Sequence, residues 1–352
     1  RGRRCDEPPV GVVQRRLVAA GAQVVGDDEP AHAATVATPT PRSRARRDTM
    51  GGDTEESLCD TPRVSAQRDP SAAPIARGNT SDIWAWTKHA VVKVLRPGIP
   101  AHWAAMEAET LARVHGAGLP VPEPEGVIDF DGRPGIVMER IDGIAMWERI
   151  KRERASAAGL IGQLVDLQIE VQRTAVPGLA PLVQRLRTKI GEAAQLKPDE
   201  RDEARGLLEV LPVGDALCHG DFHPANIILT ERGPVILDWF DAASGNAMAD
   251  FVRSSLLTRP PFDRSSWLAG STPELLDQIH SHYITELVRR GSMDVSAFGA
   301  WEVVIAVARM SEPVPDMDLL AVWERWKARE SAGVSTLIEH CRERAAERDR
   351  AS

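Results

Sequence analysis

Three oxygen-bearing side chains lie in one stretch of the chain, and their order suits the transfer of a phosphoryl group. Asp221 lies in a polar loop, Asn226 follows five residues later, and Asp238 comes directly after an apolar run at 235–237. Phosphoryl transfer needs a carboxylate that orients the attacking hydroxyl and accepts its proton, and oxygen ligands that hold Mg²⁺ against the nucleotide phosphates. Asp221 fits the first role, whereas Asn226 and Asp238 fit the second.

Two β-like segments position these side chains. The apolar residues 216–218 lead into the polar loop, and a second apolar run at 227–229 leaves it. After a turn at Gly233, the run 235–237 brings the chain to Asp238. We therefore expect the two carboxylates and the carboxamide to lie close together.

A single Asp in a loop is most often a turn former or a helix cap, and that interpretation stays open for Asp221 taken alone. The ordered set is more specific, because the loop HGDFHPAN is followed by a strand-like run that ends in Asp238. Enzymes of the protein-kinase type use this same order of Asp, Asn and Asp. The set therefore favours a kinase-like site.

The pattern HGDxxxxN resembles the aminoglycoside phosphotransferase and choline kinase family. Gly220 stands where protein kinases have Arg, and the pair Asp238 and Trp239 and the later Asp250 are similar to the same family. The resemblance covers about residues 75–330. It implies an α+β fold of protein-kinase-like type, with a small N-terminal lobe built on an antiparallel sheet and a larger, mainly helical C-terminal lobe.

The resemblance also implies a function. We expect a phosphotransferase that moves the γ-phosphate of ATP or GTP, with Mg²⁺, to a hydroxyl of a small molecule. The acceptor could be an aminoglycoside-like antibiotic, or a metabolite such as homoserine, choline or an amino sugar. A non-catalytic, nucleotide-binding pseudokinase is the alternative class. In the resembled family His219 supports the loop, and Asp250 is expected to do so from the start of its helix, although a plain N-cap would look similar.

A lysine in the N-terminal region is a candidate for binding phosphates. Lys93 lies in the apolar strand predicted at 90–95, where a buried charge needs a partner anion. A lysine on an edge strand that faces solvent is the alternative. By resemblance, Lys93 pairs with Glu107 from the following helix, predicted at 100–115, and Glu109 is the second choice.

The predicted helix at 100–115 has apolar side chains at helical spacing, which predicts a buried stripe. Its members are Trp103, Met106, Leu111 and Val114. Further nucleotide contacts follow from the resemblance alone. Gly78 and Ser81 would lie in the turn that covers the phosphates, Met138 would border the base, and the backbone from Glu139 to Ile141 would contact its edge. Met138 could equally be an ordinary core residue.

The net charge of −8 argues against a nucleic-acid partner and mildly favours a cationic substrate. Antibiotic phosphotransferases bind substrate over their C-terminal helices, against acidic side chains. Glu312 is the first candidate for this role, ahead of Glu302, Asp316 and Asp318. Each of these carboxylates could also be an ordinary surface group.

Composition sets residues 1–74 apart, and the resemblance divides the rest of the chain into two lobes. We expect residues 1–74 to form a disordered extension, of which 1–49 would precede a natural start at Met50. Residues 75–141 would form the nucleotide-binding lobe, and 142–352 the catalytic and substrate lobe. The four cysteines form no CxxC pair, and no apolar segment is long enough to span a bilayer, which predicts a cytoplasmic protein without a membrane partner. Either a monomer or a homodimer is expected.

Overall fold

The computed structural model describes residues 65–66, 73–78, 80–259, 271–312 and 319–331. Some of the predictions made above fall outside these ranges. They include most of the expected disordered extension, the proposed start at Met50, and the candidate carboxylates Asp316 and Asp318.

The N-terminal lobe is built on a six-stranded sheet. Its strands lie in the order β1-β5-β6-β4-β3-β2, and every pairing except that of β1 with β5 is antiparallel. The strands are β1 Ser65–Ala66, β2 Ala76–Arg77, β3 Ser81–Ala85, β4 Ala90–Leu95, β5 Pro124–Phe130 and β6 Arg133–Glu139. Strand β1 corrects one expectation: residues 65–66 belong to the segment expected to be disordered, yet they pair with residues 129–130 of β5.

Local sequence explains the centre of this sheet. Strand β4 is rich in β-branched valine and is buried along its whole length. Strands β5 and β6 are joined by a two-residue turn at Asp131 and Gly132, which both have positive φ angles, of 56° and 75°. Asp followed by Gly is typical of such hairpin turns, whose twist matches that of the flanking strands.

Helix α1, His102–Gly116, lies against β5 and β6. Its buried residues are Ala104, Glu107, Leu111 and Val114. The predicted stripe was therefore wrong at Met106, whose side chain is 46% exposed. The helix is rotated so that Glu107 points inward, because the buried Lys93 provides it with a charged partner.

The C-terminal part contains most of the helices and two small antiparallel sheets. The helices are α2 Met146–Arg152, α3 Ala157–Arg173, α4 Leu182–Gly191, α5 Pro198–Val210, α6 Ala247–Thr258, α7 Pro273–Arg289, α8 Val295–Arg309 and α9 Leu319–Ser331. One sheet joins β7 Ile144–Ala145, β9 Ile227–Thr230 and β10 Gly233–Ile236, and the other joins β8 Ala216–Cys218 and β11 Ala243–Gly245. The prediction of an α+β fold with an antiparallel sheet lobe and a helical lobe is confirmed.

Two apolar clusters support the helical lobe. The first surrounds the predicted catalytic segment and includes Trp147, Leu164, Phe222, Trp239 and Tyr283. The second joins α4, α5, α6, α8 and α9, and it includes Trp301 and Trp323. Among the described residues, no helix combines the length and apolar character needed to cross a membrane.

Helix α6 is buried along nearly its whole length and carries Asp250 and Arg253 toward the predicted site. Its N-cap is Asn246, whose side-chain oxygen accepts a hydrogen bond from the backbone N–H of Met248 at 2.9 Å. The Asn246 amide also donates to the carbonyl of Pro212 at 3.0 Å. The cap therefore fixes both the start of α6 and the loop before β8.

We predict that Asn246→Ala lowers the free energy of unfolding by roughly 1–2 kcal/mol, because it removes the cap and the bond to Pro212. Urea unfolding followed by circular dichroism measures this change. Asn246→Ser is the matched control, because it keeps a capping oxygen and loses the bond to Pro212 without adding a charge. An alanine variant as stable as the unsubstituted protein would contradict the importance of this cap.

Candidate active site

The polar loop after β8 depends on a glycine. Gly220 has a φ angle of 80°, and a Cβ atom at this position would lie 2.6 Å from the backbone oxygen of Asp241. Only glycine combines this left-handed backbone with such a close approach. The constraint gives a structural reason why this loop reads HGD where protein kinases have HRD.

Asp221 is held by several donors. The side-chain amide of Asn226 donates to the carbonyl of Asp221 at 2.9 Å and to its Oδ2 at 3.1 Å. His223 Nε2 lies 3.3 Å from the same Oδ2, and Arg253 Nη2 lies 3.7 Å from Oδ1. Burial would raise the pKa of Asp221, but His223, by charge and hydrogen bond, and then Arg253 outweigh it and lower the pKa below its usual range. The carboxylate is therefore ionised near neutral pH.

His219 connects this loop to the strand that precedes Asp238. The backbone N–H of Asp221 donates to His219 Nδ1 at 3.2 Å, so the other nitrogen, Nε2, carries the proton and donates to the carbonyl of Leu237 at 3.0 Å. The ring is fully buried, and burial lowers its pKa. A neutral imidazole with a hydrogen bond at each ring nitrogen agrees with the predicted supporting role of His219.

Asp250 contacts the same loop from α6. Its Oδ1 accepts a hydrogen bond from the backbone N–H of Gly220 at 2.8 Å, and its Oδ2 accepts one from Gln168 Nε2 at 2.9 Å. Gln168 accepts in turn from the hydroxyl of Tyr283 at 2.7 Å. The alternative of a plain N-cap is excluded, because Asn246 caps this helix. Gln168 thus belongs to the hydrogen-bond network that supports the loop.

Asn226 and Asp238 are brought together by the backbone. The backbone N–H of Leu237 donates a hydrogen bond to the carbonyl of Asn226 at 2.8 Å. Because Asp238 follows Leu237 directly, this bond brings the backbones of the two predicted ligands together. Asp238 has a φ angle of 62°, which is uncommon for a residue other than glycine, and its side chain is 41% exposed. An exposed carboxylate beside a carboxamide supplies the oxygen donors that a hard cation such as Mg²⁺ prefers.

Lys93 is buried between two carboxylates. Its Nζ lies 2.5 Å from Glu107 Oε1 and 3.0 Å from Asp238 Oδ1. Burial would lower the pKa of Lys93, but the charges of Asp238 and Glu107 outweigh it and raise the pKa above its ordinary value. Of the two glutamates considered as partners of Lys93, the structure pairs it with Glu107. Glu109 pairs instead with Arg113 on the exposed side of α1.

The expected phosphate turn is present only in part. Ser81 pairs with Leu95 and Ile83 pairs with Lys93, so Ser81 and Lys93 lie on the same face of the sheet. The backbone N–H of Gly78, by contrast, donates to the carbonyl of Ser81 at 2.8 Å. In this conformation the Gly78 amide is therefore occupied by its own turn.

Met138 and Glu139 end strand β6, at the junction of the two lobes. The half-buried Met138 packs against core residues, as the alternative interpretation allowed. The backbone N–H of Glu139 donates to the backbone carbonyl of Glu123 at 2.9 Å. The backbone N–H of Arg140 donates to the backbone carbonyl of His89 at 2.8 Å. These two amides are occupied, which leaves the backbone of Ile141 as the candidate contact for a nucleotide base.

Glu312, the first candidate for binding a cationic substrate, lies among three basic side chains. Its Oε1 lies 2.7 Å from Arg253 Nη1 and 3.0 Å from Lys189 Nζ, and its Oε2 lies 3.4 Å from Arg309 Nε. Burial would raise the pKa of Glu312, but these three cations outweigh it and lower the pKa strongly. Glu302 is also paired, with Arg259 at 2.5 Å.

Sequence analysis missed the cations around Asp221. Arg253 lies on α6, three residues after Asp250, and Lys189 and Arg185 lie on α4. Each occupies a helix with several other charged or polar residues, so the sequence gives no reason to single it out. The available signal was the position of Arg253 directly after the apolar Phe251 and Val252, in a helix where a buried charge needs partners.

The ionised carboxylate, the candidate metal ligands and the buried lysine together define the class of a kinase-like phosphotransferase. The sequence model of the phosphotransferase enzyme family, APH, matches residues 71–290, which is more than half of the chain. The chain belongs to this family. No curated protein matches it in sequence.

Several solved structures are similar to this chain at low sequence identity. A choline/ethanolamine kinase family protein from Mesorhizobium loti is 16% identical, with a TM-score of 0.45, and the match covers 75% of this chain and 90% of that one. An aminoglycoside-3'-phosphotransferase of type VIII is 19% identical, with a TM-score of 0.46 and coverages of 66% and 87%. An aminoglycoside phosphotransferase from Streptomyces rimosus is 15% identical, with a TM-score of 0.43 and coverages of 65% and 89%.

We predict that Gly220→Ala destabilises the protein by at least about 2 kcal/mol, because it adds a left-handed non-glycine residue and a clash with the backbone of Asp241. Thermal and urea unfolding measure the loss. Gly206→Ala is the matched control: Gly206 lies in α5, no atom lies within 4 Å of its added Cβ, and the change should stabilise the protein by roughly 0.5–1 kcal/mol. Equal stability of the two variants would show that the loop tolerates a side chain at residue 220.

Proposed function

We propose that this protein is a Mg²⁺-dependent phosphotransferase that moves the γ-phosphate of ATP or GTP to a hydroxyl of a small molecule. The observation that supports it best is the ion pair between Lys93 and Asp238 at 3.0 Å. It joins a candidate phosphate-binding lysine of the sheet lobe to a candidate metal ligand of the helical lobe. Asp221 lies in the loop that His219 connects to the strand before Asp238.

Each residue has a distinct task in this proposal. Asn226 and Asp238 would hold Mg²⁺, which when bound neutralises charge on the phosphates. Lys93, kept protonated by its two carboxylates, would contact the α- and β-phosphates, and Glu107 would fix its position. The backbone of Ile141 would contact the base of the nucleotide.

Asp221 has a limited role as a base. A carboxylate is a much weaker base than an alkoxide, so it would not deprotonate the acceptor before transfer begins. Phosphoryl transfer passes through a loose transition state in most analyses, in which the hydroxyl needs orientation more than early deprotonation. Asp221 would therefore accept a hydrogen bond from the acceptor hydroxyl, orient its oxygen toward the γ-phosphate, and receive the proton late in the step.

The pseudokinase alternative has no specific support in the structure. Asp221, Asn226, Asp238, Lys93 and Glu107 are all present, and each has neighbours that agree with an active role. A cytoplasmic location remains part of the proposal, because ATP and GTP are available there.

We predict that Asp221→Asn lowers turnover by about 10²-fold or more, because it removes the group that orients the hydroxyl and accepts its proton. Nucleotide binding should be retained, since Asp221 would contact only the acceptor. Steady-state release of ADP or GDP and fluorescence titration with a labelled nucleotide measure the two effects. Asp142→Asn, which changes an exposed carboxylate paired only with Arg140, is the control and should leave both unchanged. Full activity in the Asp221 variant would refute the assigned role.

We also predict that Glu107→Gln weakens the binding of Mg²⁺-ATP by about 10-fold or more, because it removes a charged partner that fixes Lys93. Glu109→Gln is the matched control on the same helix, two residues away, and should leave affinity unchanged. Isothermal titration calorimetry with and without Mg²⁺ makes the comparison. If both variants bind nucleotide as the unsubstituted protein does, Lys93 does not depend on Glu107 for phosphate binding.

A further inference from the structure

The two oxygens of the Asp221 carboxylate have different surroundings. Oδ2 lies 3.1 Å from Asn226 Nδ2 and 3.3 Å from His223 Nε2. Oδ1 lies 3.7 Å from Arg253 Nη2, and the Asp221 side chain is 29% exposed. A separation of 3.7 Å is too long for a hydrogen bond, so this contact is an ion pair that does not use the lone pairs of Oδ1. Oδ1 is therefore the oxygen better placed to accept a hydrogen bond from an acceptor hydroxyl.

Arg253 lies where three carboxylates meet. Its Nη1 is 2.7 Å from Glu312 Oε1. Its Nη2 is 3.7 Å from Asp221 Oδ1 and 4.0 Å from Asp241 Oδ2. The Arg253 side chain is nearly buried, so solvent screens these charges only weakly. Without this cation the three carboxylates would repel one another, and both terminal nitrogens of Arg253 are engaged in preventing that.

Glu312 determines how closely Arg253 approaches Asp221. The contact between Glu312 and Arg253 is a charge-assisted hydrogen bond, whereas the contact between Arg253 and Asp221 is longer by about the difference between a hydrogen bond and an ion pair. The carboxylate of Glu312 is itself fixed, because Lys189 Nζ of α4 lies 3.0 Å from Oε1 and Arg309 Nε of α8 lies 3.4 Å from Oε2. Glu312 therefore holds the guanidinium away from Oδ1.

This separation matters for the proposed step. The acceptor oxygen bonds to the γ-phosphorus as the bond to the ADP or GDP oxygen breaks, and the hydroxyl proton passes to Oδ1. A guanidinium hydrogen-bonded to Oδ1 would compete with the hydroxyl for the same lone pairs. Loss of the cation would leave Asp221 beside two carboxylates, which would repel it from its present orientation. At 3.7 Å, Arg253 counters that repulsion and leaves Oδ1 accessible.

We propose that Arg253 is a positioning residue for Asp221, and that Glu312 holds its guanidinium where it orients Oδ1 without occupying it. This inference rests on the proposed phosphotransferase function, and it gives Glu312 a task other than binding a cationic acceptor. Arg253 acts through Asp221 and not through the nucleotide. A change at either residue should therefore lower turnover and leave nucleotide binding unchanged.

The first test removes the cation. Turnover is measured as release of ADP or GDP with Mg²⁺ present, with water, choline, homoserine and kanamycin as acceptors, and nucleotide affinity is measured by calorimetry. We expect Arg253→Met to lower turnover by at least about 10-fold, the worth of one contact to a charged group, and to change the Kd for nucleotide by less than about 2-fold.

Arg290→Met is the matched control for a loss of stability. Arg290 is similarly shielded and also pairs with two carboxylates, Asp166 and Glu286, but it follows α7 and contacts none of the proposed site residues. Its substitution should lower the free energy of unfolding and leave the turnover of the folded protein unchanged.

A lysine at residue 253 tests the geometry and serves if the methionine variant does not fold. Arg253→Lys keeps the charge, but one nitrogen replaces the two arms of a planar fork. We expect turnover to fall by roughly 3- to 10-fold, with circular dichroism and nucleotide affinity unchanged. Turnover equal to that of the unsubstituted protein would show that the position of the cation beside Asp221 is unimportant, and would overturn the inference.

A double-mutant cycle tests the task given to Glu312. Glu312→Gln weakens the hold on Arg253 and should lower turnover by about 10-fold. The double variant should be no slower than Arg253→Met alone, because Glu312 acts through Arg253. Losses that multiply in the double variant would show that the two residues act independently, and would contradict the role of Glu312.

The outcomes separate this inference from the proposed function. If Arg253→Met keeps full turnover, or loses nucleotide affinity in step with turnover, the inference is overturned and the phosphotransferase stands. Equal losses of turnover in Arg253→Met and Arg290→Met would overturn it as well, since they would reflect folding alone. An unsubstituted protein that transfers phosphate to none of these acceptors would overturn the proposed function, and the inference with it.

Discussion

The buried ammonium of Lys93 is the interaction on which the arrangement of the site depends. A lysine that is almost fully buried is stable only beside anions, and here Glu107 and Asp238 provide them from the sheet lobe and the helical lobe. The same requirement sets the rotation of α1, which buries Glu107 and exposes Met106. One desolvated charge therefore determines the orientation of a helix and joins the two candidate halves of the nucleotide site.

A second network of hydrogen bonds fixes the loop that carries Asp221. Asp250 accepts hydrogen bonds from Gly220 and Gln168, and Tyr283 fixes Gln168 in turn. His219 connects the loop to the strand that leads to Asp238. These groups lie in the apolar cluster of the helical lobe, where a hydrogen bond between fully satisfied groups is strong and an unpaired one is costly. The backbone that carries Asp221 is thus rigid before any ligand binds.

Local sequence predicted much of this structure and failed where partners come from distant parts of the chain. The strand at residues 90–95 and the helix predicted at 100–115 follow from periodicity, and the structure has them at 90–95 and 102–116. Asp221, Asn226 and Asp238 could be found because one hairpin carries them. The contacts of Glu312 could not be predicted from the sequence, because two of its partners are 123 and 59 residues away. Its exposure and charge balance depend on how three helices pack, which no local pattern contains.

The backbone of Asp238 has a consequence for protein engineering. In the described part of the chain, only Asp131 and Asp238 adopt positive φ without being glycine. Asp131 lies in a tight hairpin turn that commonly uses Asp, but Asp238 keeps a carboxylate where glycine would be relaxed. A search for stabilising substitutions would choose glycine at 238 to relax this backbone, but the change would remove both a proposed metal ligand and one of the two anions beside the buried Lys93. Relaxing the backbone at residue 238 would therefore weaken the contact between the sheet lobe and the helical lobe.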